Sequence, residues 1–233
     1  MAIVVKSGSG AKTNGTSVVV TKPSGVADGD VLVASLFGTD NTNFNTTSGW
    51  TIALNFGYAG GIDNQTSQHY KIITSASSEP SSYTFSWPGT EKRGVYILCL
   101  SGVDTSDPIN QAACKLGHAT TANNIRPAAH TTDADNCLSI LTGCIVGGAA
   151  MTTGGFVGPS PWVKSDTSTW GGTTFNYSAV TGYRYVYTAQ TVAAHTWTST
   201  VNNGFSDSSI IISYNAAATA SGASAGKRII TLF

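Results

Sequence analysis

Short runs in which apolar residues alternate with hydroxyl-bearing ones recur along this chain, separated by Gly, Pro, Asn and Asp. Tyr83-Thr84-Phe85-Ser86-Trp87 shows the pattern best. A period of two places Tyr83, Phe85 and Trp87 on one face and Thr84 and Ser86 on the other, which predicts a half-buried strand. Val95 to Leu100 is an apolar run, and Val95 to Val103 is predicted as the central strand of the first half. Val18-Val19-Val20 runs into the turn Lys22-Pro23-Ser24-Gly25, and Ala27-Asp28-Gly29-Asp30 predicts a turn before a strand from Val31 to Phe37. Further strands are expected over Trp50 to Phe56, His69 to Thr74 and Cys137 to Val146. Thr173 to Ala179 and Tyr183 to Gln190 are expected to pair as a hairpin turning near Thr181-Gly182. No segment carries the 3.6-residue period of an amphipathic helix of ordinary length.

The pattern occurs twice. Gly29 to Ala34, Gly49-Trp50-Thr51, Tyr83 to Trp87 and Val95 to Leu100 are matched in order by Ala134 to Leu141, Pro161-Trp162-Val163, His195 to Thr198 and Ser209 to Tyr214. Corresponding points lie roughly 105 to 120 residues apart, so each copy is half of a sandwich rather than a solenoid unit. The expected fold is an all-β, jelly-roll-like antiparallel β-sandwich with approximate internal duplication. Residues 1–215 would form a single sandwich from halves at about 18–110 and 134–215, joined by an Ala-, Thr- and Asn-rich connection. Trp50, Trp87, Trp162 and Trp197 recur at matching places and are expected to fill equivalent core sites.

Residues 216–233 read as an Ala/Ser/Gly linker and a strand-like tail, Lys227-Arg228-Ile229-Ile230-Thr231-Leu232-Phe233. Such a tail either closes the chain's own sheet or adds a strand to a neighbour. The segment from Met1 through Ile3, Val5 and Lys6 poses the same choice. Trp170, in Ser168-Thr169-Trp170-Gly171-Gly172, has no counterpart in the other half and is expected in a loop, at a surface contact. The candidate partner contacts are therefore Met1, Ile3, Val5, Lys6, Trp170, Lys227, Arg228, Ile229, Ile230, Leu232 and Phe233.

Composition narrows the function classes. The 233 residues are only 10% charged with formal net charge +0, which gives no electrostatic footprint for nucleic acid or an anionic membrane surface. A neutral surface suits assembly, because it offers little protection against association. No apolar run approaches a bilayer span, and the opening Met-Ala-Ile-Val-Val-Lys does not have the form of a secretory signal. Cys99, Cys114, Cys137 and Cys144 have no Cys-x-x-Cys spacing and are expected as buried free thiols.

Candidate chemistry is sparse. Glycoside hydrolysis needs two suitably spaced carboxylates, yet Glu79 and Glu91 both read as solvated turn residues and most aspartates as turn caps. His69, His118, His130 and His195 share no metal-ligand spacing, and no Gly-x-Ser-x-Gly elbow occurs. Asp40 to Asn43 and Asp133 to Asn136 offer oxygen donors of the kind that hold calcium. Exposed Trp and Tyr on a sandwich can stack on sugar rings or anchor a protein partner; Tyr183, Tyr185 and Tyr187 share one face of a strand, and a buried stripe explains them equally well. The expectation is a chain with no catalytic, cofactor or metal site.

Thr21 to Val26, Gly29 to Ala34, Ser48 to Thr51, Tyr70-Lys71, Ser78-Glu79-Pro80, Tyr83 to Phe85 and Ser101 to Ile109 together resemble a family of β-rich virion structural proteins of tailed bacteriophages. The likeness is concentrated in residues 18 to 110. It implies a jelly-roll-like sandwich and a non-enzymatic role, and it carries over no binding residues. The function it implies first is a capsid decoration or cement protein, a homo-oligomer assembled in the host cytoplasm that bridges the major capsid protein or other virion subunits. The alternative is a tail-fibre or adhesin module holding host polysaccharide through loops such as Gly38 to Gly49 and Trp170 to Thr174. Neither nucleic acid nor membrane is expected as a partner.

Overall fold

The computed structural model describes residues 2–59, 62–118, 123–171 and 174–218. The first half forms β1 (Val4–Thr21), β2 (Val31–Thr39), β3 (Thr51–Tyr58), β4 (Asn64–Ile72) and β5 (Ser82–Ser101). The second forms β6 (Ile109–His118), β7 (Cys137–Gly148), β8 (Val163–Trp170), β9 (Phe175–Val186) and β10 (Ser206–Tyr214). Each half makes one five-stranded antiparallel sheet, ordered β1-β5-β2-β4-β3 and β6-β10-β7-β9-β8. Numbered within its own half, each sheet reads first, fifth, second, fourth, third. The duplication is thus one of topology in the two main sheets, to which the second half adds two short ladders, Thr191–Val192 on His130–Thr131 and Thr198–Ser199 on Phe156–Val157.

Two such sheets facing each other form an all-β sandwich. Each sheet belongs to one half of the chain. The central strands are buried on both faces, which is why they read as continuous apolar runs. All nine residues of β2 are buried. Its Leu32, Ala34 and Leu36 join Trp50, Phe85 and Trp87 in a core made by the first half alone. Leu141, Ile145, Trp162, Val180 and Trp197 make the equivalent core of the second half. Between the sheets, Val31, Val33, Leu98 and Leu100 meet Leu138, Ile140, Ile210 and Ile212. At about 1.5 to 3 kcal/mol for each large aliphatic side chain fully buried, three cores in series supply the driving force.

Several expected boundaries move. The Gly/Ser-rich stretch before Val18 continues one strand from Val4, paired with β5. It is a strand because Gly8 and Gly10 make room for the Tyr96 ring: a Cβ at Gly8 would lie 2.3 Å from its hydroxyl oxygen. The supposed connection after Ser101 contains β6, an edge strand paired with β10. Thr181-Gly182 is no hairpin turn, since β9 runs straight through it with Thr181 opposite Thr142 and Gly182 opposite Leu141. Gly182 serves close approach instead, as a Cβ there would stand 2.4 Å from the Trp197 indole.

The interface between the halves is not wholly apolar. Thr142 Oγ1 donates to Ser35 Oγ at 2.7 Å, Gln68 Nε2 to the Ile140 carbonyl at 2.9 Å and Asn64 Nδ2 to Ser206 Oγ at 2.6 Å. Tyr214 Oη donates to Gln68 Oε1 at 3.3 Å. Buried polar groups that find partners only in one alignment fix that alignment. Cys99, Cys137 and Cys144 are buried free thiols. The Cys114 side chain lies outside what is described.

Candidate binding site

Strand β8 stops at Val163, opposite Tyr183. Its neighbour β9 runs on through Arg184, Tyr185 and Val186, held on its other side by Ser139, Leu138 and Cys137 of β7. That overhang exposes a piece of sheet edge, and Pro161, Arg184, Tyr185, Tyr187, Thr188 and Gln190 frame an open recess of about 320 Å³ against it. Alternation explains its two walls: Tyr183, Tyr185 and Tyr187 project one way, Arg184 and Val186 the other.

The tyrosines are graded in exposure. Tyr183 and Tyr185 are half-buried and meet edge to face at 5.8 Å. Tyr187 stacks on Tyr185 at 6.1 Å with ring planes 17° apart, and is 68% exposed. The stripe is therefore core at one end and open platform at the other.

Arg184 supplies the charge. Its Nε is buried without a hydrogen-bond partner, and among the described residues it forms no ion pair. His130 and His195, which sequence spacing leaves unrelated, both feel its field. Burial, then His195 and Arg184, push the His130 pKa down to about 4. Burial also lowers His195, with Arg184 acting in the same direction and a hydrogen bond to the Ala193 carbonyl opposing. Trp162 stacks on His195 at 4.8 Å and meets Trp197 edge to face at 6.0 Å. His130 Nε2 pairs with Ser139 Oγ at 2.9 Å, and Ser139 with Ser213 at 2.8 Å. The combination is an exposed aromatic face beside a fixed cation, backed by packed rings. It can stack on a flat apolar ligand face and hold an oxyanion.

A second recess, of about 380 Å³, opens between the halves and is lined by Thr39, Asp40, Ile62, Asp63, Glu91 and Phe175. Beneath it the Arg93 side chain is fully buried, 4.5 Å from the Phe44 ring centroid and 5.3 Å from that of Trp87. Burial pushes its pKa down to about 10 while Asp40, at 3.7 Å, opposes. Asp40 also accepts from the Asn41 N–H at 2.7 Å and from the Thr42 hydroxyl. Glu91 accepts from Thr39 Oγ1 at 3.1 Å. Asp133 takes bonds from Asn110 and Gln111, and Asp135 from the Ala189 N–H. Carboxylate oxygens of Asp40, Asp133 and Asp135 are thus engaged within the chain, and among the described residues no trio of His, Cys, Asp or Glu could hold a metal ion.

Glu79 is not the solvated turn residue its sequence context suggests. It accepts from Lys71 Nζ at 2.9 Å and from Tyr83 Oη at 2.9 Å. Ile3, expected as a partner contact, is 2% exposed and belongs to the core between the sheets. Val5 pairs with Leu100 and packs on that core, and Lys6 reaches buried Asp30 at 2.7 Å. The N-terminal segment thus closes the chain's own sheet. Trp170 ends β8 opposite Tyr177 rather than standing in a loop; it is half-buried, with Lys12 Nζ 5.8 Å from its ring centroid. Met1, Lys227, Arg228, Ile229, Ile230, Leu232 and Phe233 lie outside the described residues.

No protein-family model, no curated protein and no solved structure matches the chain.

Proposed function

We propose that the chain is a non-enzymatic structural module of a bacteriophage particle, and that it holds a host-surface saccharide in the recess beside Tyr187. The observation carrying this reading is the Tyr185–Tyr187 stack, whose outer ring is left open beside Arg184. Aromatic faces bind sugar rings by covering their C–H surfaces, and a ring stacked on a neighbouring ring just past the end of a strand loses little freedom on binding. The sandwich is the scaffold, and the β9 overhang is what it presents. Saccharide binding thereby moves ahead of shell cementing among the roles the phage resemblance implies, because Ile3 and Val5 are occupied by their own core. The test is adsorption of the purified chain to host cells, with immunogold labelling of particles. Label on the particle and saturable adsorption are expected; label confined to unassembled protein contradicts the reading.

One observation favours the cement role as a second reading. Strands β1, β3, β6 and β8 end their sheets without an outer neighbour among the described residues, and a low-charge chain with open edges can accept strands from capsid subunits or from copies of itself. Addition to stripped capsids that restores their heat resistance would support it, and failure to bind them would remove it.

A further inference from the structure

We propose that the recess beside Tyr187 selects an acidic saccharide, whose carboxylate pairs with Arg184 while its ring lies on Tyr187. This rests on the saccharide-binding reading above and adds the ligand's charge.

The reason lies in what Arg184 is not given. The other two described arginines each reach a carboxylate of the same chain, Arg93 with Asp40 and Arg126 with Asp207, and the lysines without an ion pair, Lys12, Lys22, Lys92 and Lys164, donate to backbone carbonyls. Arg184 has no such partner among the described residues, and it is half-buried with its Nε out of reach of any acceptor. A partly desolvated guanidinium without a counter-charge is costly to hold. His130 and His195, which feel its field, are groups that can only become positive. A neutral sugar leaves that imbalance in place; a carboxylate corrects it, and its two oxygens match the guanidinium fork.

Position adds to charge. Arg184 is fixed in the ladder opposite Ser139, and Tyr187 stands three residues further along, beyond the end of β9. Both line one recess with Gln190, whose amide can reach sugar hydroxyls at its rim. The larger recess between the halves presents Asp40, Asp63 and Glu91 instead, and repels the same ligand. A third recess, of about 280 Å³, sets Asp166 beside Lys12, so the recess beside Tyr187 is the one of these three that offers a cation with no carboxylate in its lining.

Binding of wild type, Arg184→Gln and Arg184→Lys to immobilised polygalacturonate, polysialic acid, alginate, dextran and mannan tests the proposal, with unfolding midpoints measured in parallel. Wild type is expected to hold at least one acidic polymer well above dextran and mannan. Arg184→Gln should weaken that binding about tenfold or more at an unchanged midpoint, and Arg184→Lys should keep part of it. If Arg184→Gln fails to fold, partial loss in Arg184→Lys with weakening by salt carries the same weight. A preference for dextran or mannan that Arg184→Gln leaves intact overturns the acidic ligand and spares the saccharide reading. Binding to none of the polymers removes both.

Discussion

Thr142 Oγ1 lies 2.7 Å from Ser35 Oγ, and the two hydroxyls join the halves at the middle of their buried interface. Thr142 belongs to β7 and Ser35 to β2, strands that hold the same place in the two sheets. The duplication thus places two like strands face to face, and a hydroxyl pair locks them where an all-apolar contact would leave their alignment free to slide.

Removing one partner should cost more than removing both. Thr142→Val leaves the Ser35 hydroxyl buried beside a methyl group, and is expected to destabilise the chain by about 1 to 3 kcal/mol. The double variant Ser35→Ala with Thr142→Val should recover much of that loss. A double-mutant cycle by urea denaturation measures the coupling; additive losses would mean that the pair acts as two separate polar groups.

Gly182 and Trp197 form a second such pair. Gly182→Ala drives a methyl group into the indole and is expected to cost about 2 kcal/mol, or roughly 4 to 8 °C in Tm. In a Trp197→Leu background the same change should cost far less. An equal cost in both backgrounds would show that the backbone at position 182, rather than the ring, requires glycine.

Much of the fold was legible because burial leaves a pattern. The both-faces-buried strands β2 and β7 read as largely apolar runs, β10 shows only its Ile210-Ile211-Ile212 centre that way, and the four matched tryptophans are core residues in fact. What escaped was set by contacts across the chain. Gly8, Gly10 and Gly182 look like turn residues until Tyr96 and Trp197 are seen lying against them. β6 hid in a weakly apolar stretch because it is an edge strand. Glu79 looked solvated because Lys71 and Tyr83 come to it from elsewhere in the fold. For the site, the Tyr-Arg-Tyr-Val-Tyr alternation was visible as a stripe, but the early end of β8 that uncovers Tyr187 and Arg184 was not. His130 and His195 are 65 positions apart in sequence, counted as 195 − 130, and only the sheet brings them into one field.

Acid should weaken the fold through two buried imidazoles. His69 is fully buried with neither ring nitrogen hydrogen-bonded, and burial pushes its pKa down to about 4; His130 is lowered to the same value. Because both folded-state values lie below the unfolded value of about 6.5, the unfolded chain binds more protons between pH 6.5 and 4. Stability is therefore retained above pH 6.5 and falls as pH drops to 4, by up to about 3 kcal/mol for each residue. His69→Leu should flatten part of that slope and raise stability at pH 7 by about 1 kcal/mol, since it removes a buried imidazole without partners. Melting curves from pH 4 to 8 measure both effects; an unchanged slope in His69→Leu would mean that this imidazole meets solvent in the folded chain.

The recess beside Tyr187 is the centre of the functional account, and a glycan array probed with wild type, Tyr187→Ala and Trp170→Ala tests it most directly. The account predicts a saccharide signal that Tyr187→Ala reduces about tenfold, through loss of a stacking face, and that Trp170→Ala, half-buried beneath Lys12, leaves in place. A signal that survives Tyr187→Ala and disappears in Trp170→Ala would contradict it.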